Sequence, residues 1–109
     1  MTARANDNHE ERIVVSVDED LQDLIPGYLE NRLKDIAAIQ ASLAQGDYEA
    51  IRSLGHKMKG SGGGYGFDEI TNIGQAMEEA AKTGNKEEIV RQAEALKTYL
   101  EQVDIVYQA

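Results

Sequence analysis

Cysteine and tryptophan are absent from this chain of 109 residues, and phenylalanine and proline occur once each. Without cysteine there is no disulfide scaffold, no thiolate zinc site and no thiol nucleophile, and the redox compartment stays open. So few aromatic residues leave no stacking platform for nucleobases. Basic residues are also scarce, 11 against 20 acidic ones, for a net charge of −9. That surface repels nucleic-acid phosphates. No apolar run reaches the roughly 18 residues that a membrane span needs, and Met1 to Arg12 has no apolar signal-peptide centre. The expectation is a cytoplasmic protein that binds neither nucleic acid nor membrane.

Good helix formers are abundant, and the length fits one domain with a modest core. Ile13 to Val17 has the composition of a strand, but a single short strand would have nothing to pair with. Ser16-Val17-Asp18-Glu19 reads instead as a capping box that opens a short helix. Pro26 interrupts that helix and restarts it as a first-turn residue. Leu33, Ile36, Ile39 and Leu43 then carry the apolar stripe to a stop at Gly46-Asp47. Asp47 caps a segment that buries Ile51, Leu54 and Met58. A further segment carries Phe67, Ile70, Ile73, Met77 and Ala81 and stops at Gly84-Asn85. The last helix, capped by Asn85 with Glu88, spaces Ile89, Ala93, Leu96, Leu100, Val103 and Tyr107 along one face. The spacing predicts an all-α fold: an antiparallel four-helix bundle with a short preceding N-terminal helix. Residues 1–16 form a polar tail and residues 17–109 the domain.

The segment after Asp47 holds one of the two histidines. With Ile51 at zero and about 100° per residue, Leu54, Gly55, Met58 and Gly62 fall within about 60° of it. His56 lies near 140°, with Lys59 near 80°, Arg52 near 100°, Gly63 near 120° and Gly60 near 180°. His56 therefore points away from the core and shares its side of the helix with Lys59 and Gly60. Gly60 costs about 1 kcal/mol relative to Ala within a helix, so it calls for a reason. Gly55 and Gly62 have one in packing against another helix, and Gly64 and Gly66 in ending this one. The glycine run is no nucleotide loop, because Tyr65, Phe67 and Glu69 stand where each GxGxxG register needs its last glycine. His9 lies in the tail and no His–Glu pair faces inward, so no metal site is expected.

At His56-Lys57-Met58-Lys59-Gly60-Ser61, joined further along by Tyr65-Gly66-Phe67 and Met77-Glu78, the sequence resembles histidine phosphotransfer (HPt) domains of bacterial phosphorelays. The similarity runs roughly from Val17 to Leu100. The resemblance implies a four-helix bundle with a preceding helix. It further implies that His56 takes a phosphoryl group from a receiver-domain aspartyl phosphate and passes it to another receiver. Lys59 would neutralise charge and Gly60 would leave steric room. The resemblance also implies a monomer, and a carrier rather than an enzyme. It has no cofactor of its own, since Mg²⁺ and the catalytic carboxylates belong to the receiver. Some members carry Gln where this chain has Glu78. A carboxylate disfavours a phosphorylated histidine, so no phosphate-binding role is expected of Glu78.

A free imidazole titrates near 6.5 and leaves one ring nitrogen available for attack at neutral pH; which one, the sequence does not say. Arg52, Lys57 and Gly63 are expected at the rim of the partner interface, and Lys82, alongside Gln75, can face the same side. Two other readings stay open at this point. One is a helical module that docks a receiver or kinase without being phosphorylated. The other is a histidine-kinase dimerisation hairpin, although there the histidine is usually followed by an acidic residue and here by Lys57.

Overall fold

The computed structural model describes residues 12–109. Residues 1–11 of the expected tail, His9 among them, lie outside the described residues. The rest is mostly helical: α1 (Ile25–Ala44), α2 (Tyr48–Gly62), α3 (Asp68–Lys82) and α4 (Lys86–Gln102). Pro26 sits in the first turn of α1, where its missing N–H has no helical partner to lose. Asp47 caps α2 by accepting from the Ala50 N–H at 3.1 Å, and Asn85 caps α4 from the Glu88 N–H at 3.1 Å. Gly46, Gly66 and Gly84 take φ of 69°, 96° and 64°, the left-handed backbone that lets the chain turn out of each of the first three helical segments.

The two ends of the domain differ from the expected all-helical pattern. Ile13–Asp18 is a strand, β1, and α4 stops at Gln102 so that Val103–Gln108 forms a second strand, β2. They pair in parallel, with Ile13 opposite Val103 and Asp18 opposite Gln108. The partner that the N-terminal strand lacked among its neighbours thus lies at the far end of the chain. β-Branched Val103, Ile105 and Val106 favour the extended backbone over another helical turn. Ser16 is consumed in β1, so the expected capping box does not form. Asp18 caps in its place, accepting from the Asp20 N–H at 2.8 Å, and it opens one 3₁₀ turn (Glu19–Leu21) rather than a short α-helix. Strand also begins at Ile13, inside the stretch read as tail.

α1 packs against α2 and α4, and α3 packs against the same two helices. The core between them holds Ile25, Ile39, Ile51, Met58, Phe67, Ile70, Met77, Ile89 and Leu96, all with almost no exposure. Val17 extends this core into the sheet, with Val15, Val103, Ile105 and Tyr107 partly buried against it. Leu33, expected inside, is 54% exposed. Among the described residues no helix is long and apolar enough to cross a membrane.

Candidate functional site

α2 and α3 are pressed together backbone to backbone. A Cβ added at Gly55 would sit 2.7 Å from the Glu78 N and 2.8 Å from the Gly74 O. One added at Gly62 would sit 2.7 Å from the Thr71 N, and one at Gly74 would collide with the backbones of Gly55 and Lys59. Gly55 and Gly62 are therefore packing glycines, as the helical wheel requires. The next residue after Gly55 is His56, and one turn after Gly74 comes Glu78. The close approach of the backbones thus sets a carboxylate beside the histidine.

The His56 side chain is 66% exposed, and its Nδ1 lies 3.2 Å from Oε2 of Glu78. Glu78 is only 8% exposed at its side chain, and it collects two more cations: Lys59 Nζ at 3.7 Å from Oε1 and Arg52 Nη1 at 3.9 Å from Oε2. Burial pushes the Glu78 carboxyl up. The hydrogen bond with His56, the charge of that ring whenever it is protonated, and the charges of Lys59 and Lys82 outweigh that and hold it below the usual carboxylate range. An ionised carboxylate only accepts, so in this pair Nδ1 carries the hydrogen, and in the neutral ring the lone pair is therefore on Nε2. The ring is held at one nitrogen and open at the other.

Each expected site residue can be placed. Lys59 joins His56 at Glu78, and Gly60 faces open space, since a Cβ there would meet nothing within 4 Å. No neighbour among the described residues demands a glycine at that position. Arg52 reaches toward Glu78, but its main partner is Glu49, which receives hydrogen bonds from it through both carboxylate oxygens. Lys57 is exposed and acts on Asp35 of α1, away from the carboxylate. Gly63 is exposed at the start of the 3₁₀ turn Gly63–Tyr65, with its N–H bound by Thr71 Oγ1 at 2.8 Å. Lys82 pairs with Glu79 at 3.8 Å and adds to the positive charge near Glu78, whereas Gln75 is simply exposed.

The supporting roles of three residues are not evident from the sequence. Glu78 is the first: no contact with a phosphate is expected of it, and it acts on the histidine ring itself. Its sequence signal is Gly74 one turn earlier, which puts Glu78 at the edge of the packed face of α3. Thr71 is the second. Its hydroxyl donates to the Lys59 carbonyl at 3.1 Å while accepting from Gly63, so α3 caps the end of the histidine helix. Tyr28 is the third. Its hydroxyl bonds Ser61 Oγ at 2.9 Å, its ring packs on Tyr65 with centroids 4.4 Å apart, and Arg32 lies over it. Ser61 therefore ties α2 to α1.

A family model described as Hpt domain matches residues 17–105. No curated protein and no solved structure matches the chain. With most of its length covered, the chain belongs to the Hpt-domain family, whose members carry out histidine phosphotransfer in phosphorelays.

Proposed function

We propose that this Hpt-domain protein carries a phosphoryl group on Nε2 of His56, accepting it from the aspartyl phosphate of one receiver domain and passing it to another. The observation that carries the reading is the pairing of a mostly exposed imidazole with a buried carboxylate: Glu78 engages Nδ1, which leaves Nε2 as the nitrogen that holds the lone pair of the neutral ring. Phosphoryl transfer asks for an aligned nucleophile and charge neutralisation more than for covalent help from the protein. His56 supplies the first and Lys59 the second. Gly60 leaves the space next to the ring that a transferred group and an approaching partner need. The chain is a carrier; Mg²⁺ and the carboxylates that hold it come from the receiver, which docks over Arg52, Lys57 and Gly63.

In this reading the protein is a cytoplasmic monomer whose four helices run antiparallel, as the short connections between them favour. Purified protein mixed with phosphorylated receiver domains is expected to gain an acid-labile, base-stable label, and His56→Gln to gain none. No label with any receiver tested would defeat the carrier reading, and label surviving in His56→Gln would move the site. Lys59→Ala is expected to keep the fold and to slow transfer about tenfold, the loss of one charge-assisted contact of about 1.5 kcal/mol.

A further inference from the structure

We propose that Glu78 governs the phosphorylated histidine as well as the free one: its carboxylate keeps the proton on Nδ1 after Nε2 has taken the phosphoryl group, so that the ring can leave as neutral imidazole. The proposal rests on His56 being the carrier. When the Nε2 lone pair attacks the phosphorus of a receiver's aspartyl phosphate, the N–P bond forms as the P–O bond breaks and its electron pair returns to the donor carboxylate, while the ring keeps its Nδ1 hydrogen and gains a positive charge. If that proton escapes to solvent, the N–P bond can break only by expelling an imidazolate, a poor leaving group. If the proton stays, the N–P electron pair returns to Nε2 and the ring departs neutral. The phosphoryl group then passes to the carboxylate oxygen of a receiver or to the oxygen of water.

An anion in contact with Nδ1–H favours the protonated ring, as any close opposite charge favours a cation. Here the contact is 3.2 Å long and the carboxylate is nearly enclosed, so its charge is poorly screened. The carboxylate cannot be displaced along with its backbone, because Gly55 and Gly74 already hold α2 and α3 at closest approach. Other charges face the same group. Arg52 and Lys59 on α2 and Lys82 on α3 weaken the carboxylate's hold, but Arg52 is mainly engaged by Glu49, Lys82 is paired with Glu79, and Lys59 meets the other oxygen. On the α1 side Arg32 and Asp35 pair with each other, with Lys57 acting on Asp35. His56 Nδ1, at 3.2 Å, lies closer to Oε2 than Arg52 Nη1 does at 3.9 Å. A glutamine at this position would orient the ring equally well and let the proton go, turning a ready donor into a slow store.

The test needs no receiver. The full chain is phosphorylated with potassium phosphoramidate, the donor is removed, and loss of the phosphoryl group to water is followed by ³¹P NMR across a pH series. His56→Gln identifies the signal. In the wild type the fast, protonated-ring rate is expected to persist to higher pH than in Glu78→Gln. The profile of the variant should fall about one pH unit earlier, so that on the alkaline side its phosphoryl group lasts about tenfold longer. The wild type unfolded in urea, where Glu78 is no longer beside the ring, serves as a reference that needs no substitution and should match the variant. Superimposable profiles for folded and unfolded wild type, or for wild type and a folded Glu78→Gln, would overturn the proposal. A wild type that shows no signal absent from His56→Gln would instead overturn the carrier reading beneath it.

Discussion

Gly55 and Gly60 lie five positions apart on one helix, yet they answer to different constraints. The side of α2 that carries Gly55 is filled to the backbone of α3, and a single added methyl group would strike Glu78 and Gly74. A methyl group added at Gly60, on the other side, would meet nothing among the described residues within 4 Å. A residue type that costs helix stability is thus required on one side by the fold itself, whereas on the other the demand for it comes from no neighbour among the described residues. In the proposed reading that demand is the phosphoryl group and the receiver that delivers it. The inner side decides where Glu78 stands; the outer side decides what can reach His56.

Substitution can separate the two sides. Gly55→Ala should have the largest effect, lowering unfolding free energy by about 3 kcal/mol in urea titration, because backbone rather than a flexible side chain must give way. An unchanged midpoint would mean that the helices can part at no cost and that the contrast is false. Thr71→Val comes next. Losing a hydroxyl that satisfies both Lys59 and Gly63 at the interface should cost about 1–2 kcal/mol by the same measurement. Gly60→Ala is expected to raise stability by up to about 1 kcal/mol while slowing phosphoryl transfer. A loss of stability there would show that the outer glycine also serves the fold.

The smallest expected effect concerns acid. Because the Glu78 carboxyl is held below its ordinary value of 4.5, its ionised form stabilises the fold above that value, and the contribution fades as pH falls through the lower folded value. Denaturation midpoints of wild type and Glu78→Gln should differ at neutral pH and converge below about 4.5. A gap that stayed constant into acid would show that the carboxylate charge contributes nothing to the inner side.

The part of this site that is legible in the sequence is the part set by local periodicity. The cap at Asp47, the stripe of Ile51 and Met58 and the opposite heading of His56 all depend on residues within a few turns of one another. Gly55 and Gly62 are legible as packing positions for the same reason. Glu78 is not, because its contact with His56 depends on how two helices are apposed and at what distance. Charge sign alone gives the wrong emphasis: it weighs the carboxylate against a phosphate, when its neighbour is the imidazole. The strands are hidden by the same locality. Ile13 to Val17 has every compositional mark of a strand, but its partner lies beyond all four helices. The final helix periodicity runs on through Val103 and Tyr107 because alternate residues of β2 also turn toward the core. Leu33 fits the apolar stripe of α1 and remains exposed, since α1 packs on only part of its surface.

The parallel register of β1 and β2 also has a mechanical meaning. Ile13 and Gln108 lie at opposite ends of the ribbon, one on each strand. Tension drawn through the two ends of the domain therefore pulls the strands past each other, and the evenly spaced rungs of a parallel ladder bear the load together instead of opening in turn. Any tether attached at both ends would meet this short clamp before the load reached the helices, so the histidine and its carboxylate would keep their spacing until the ribbon gave way.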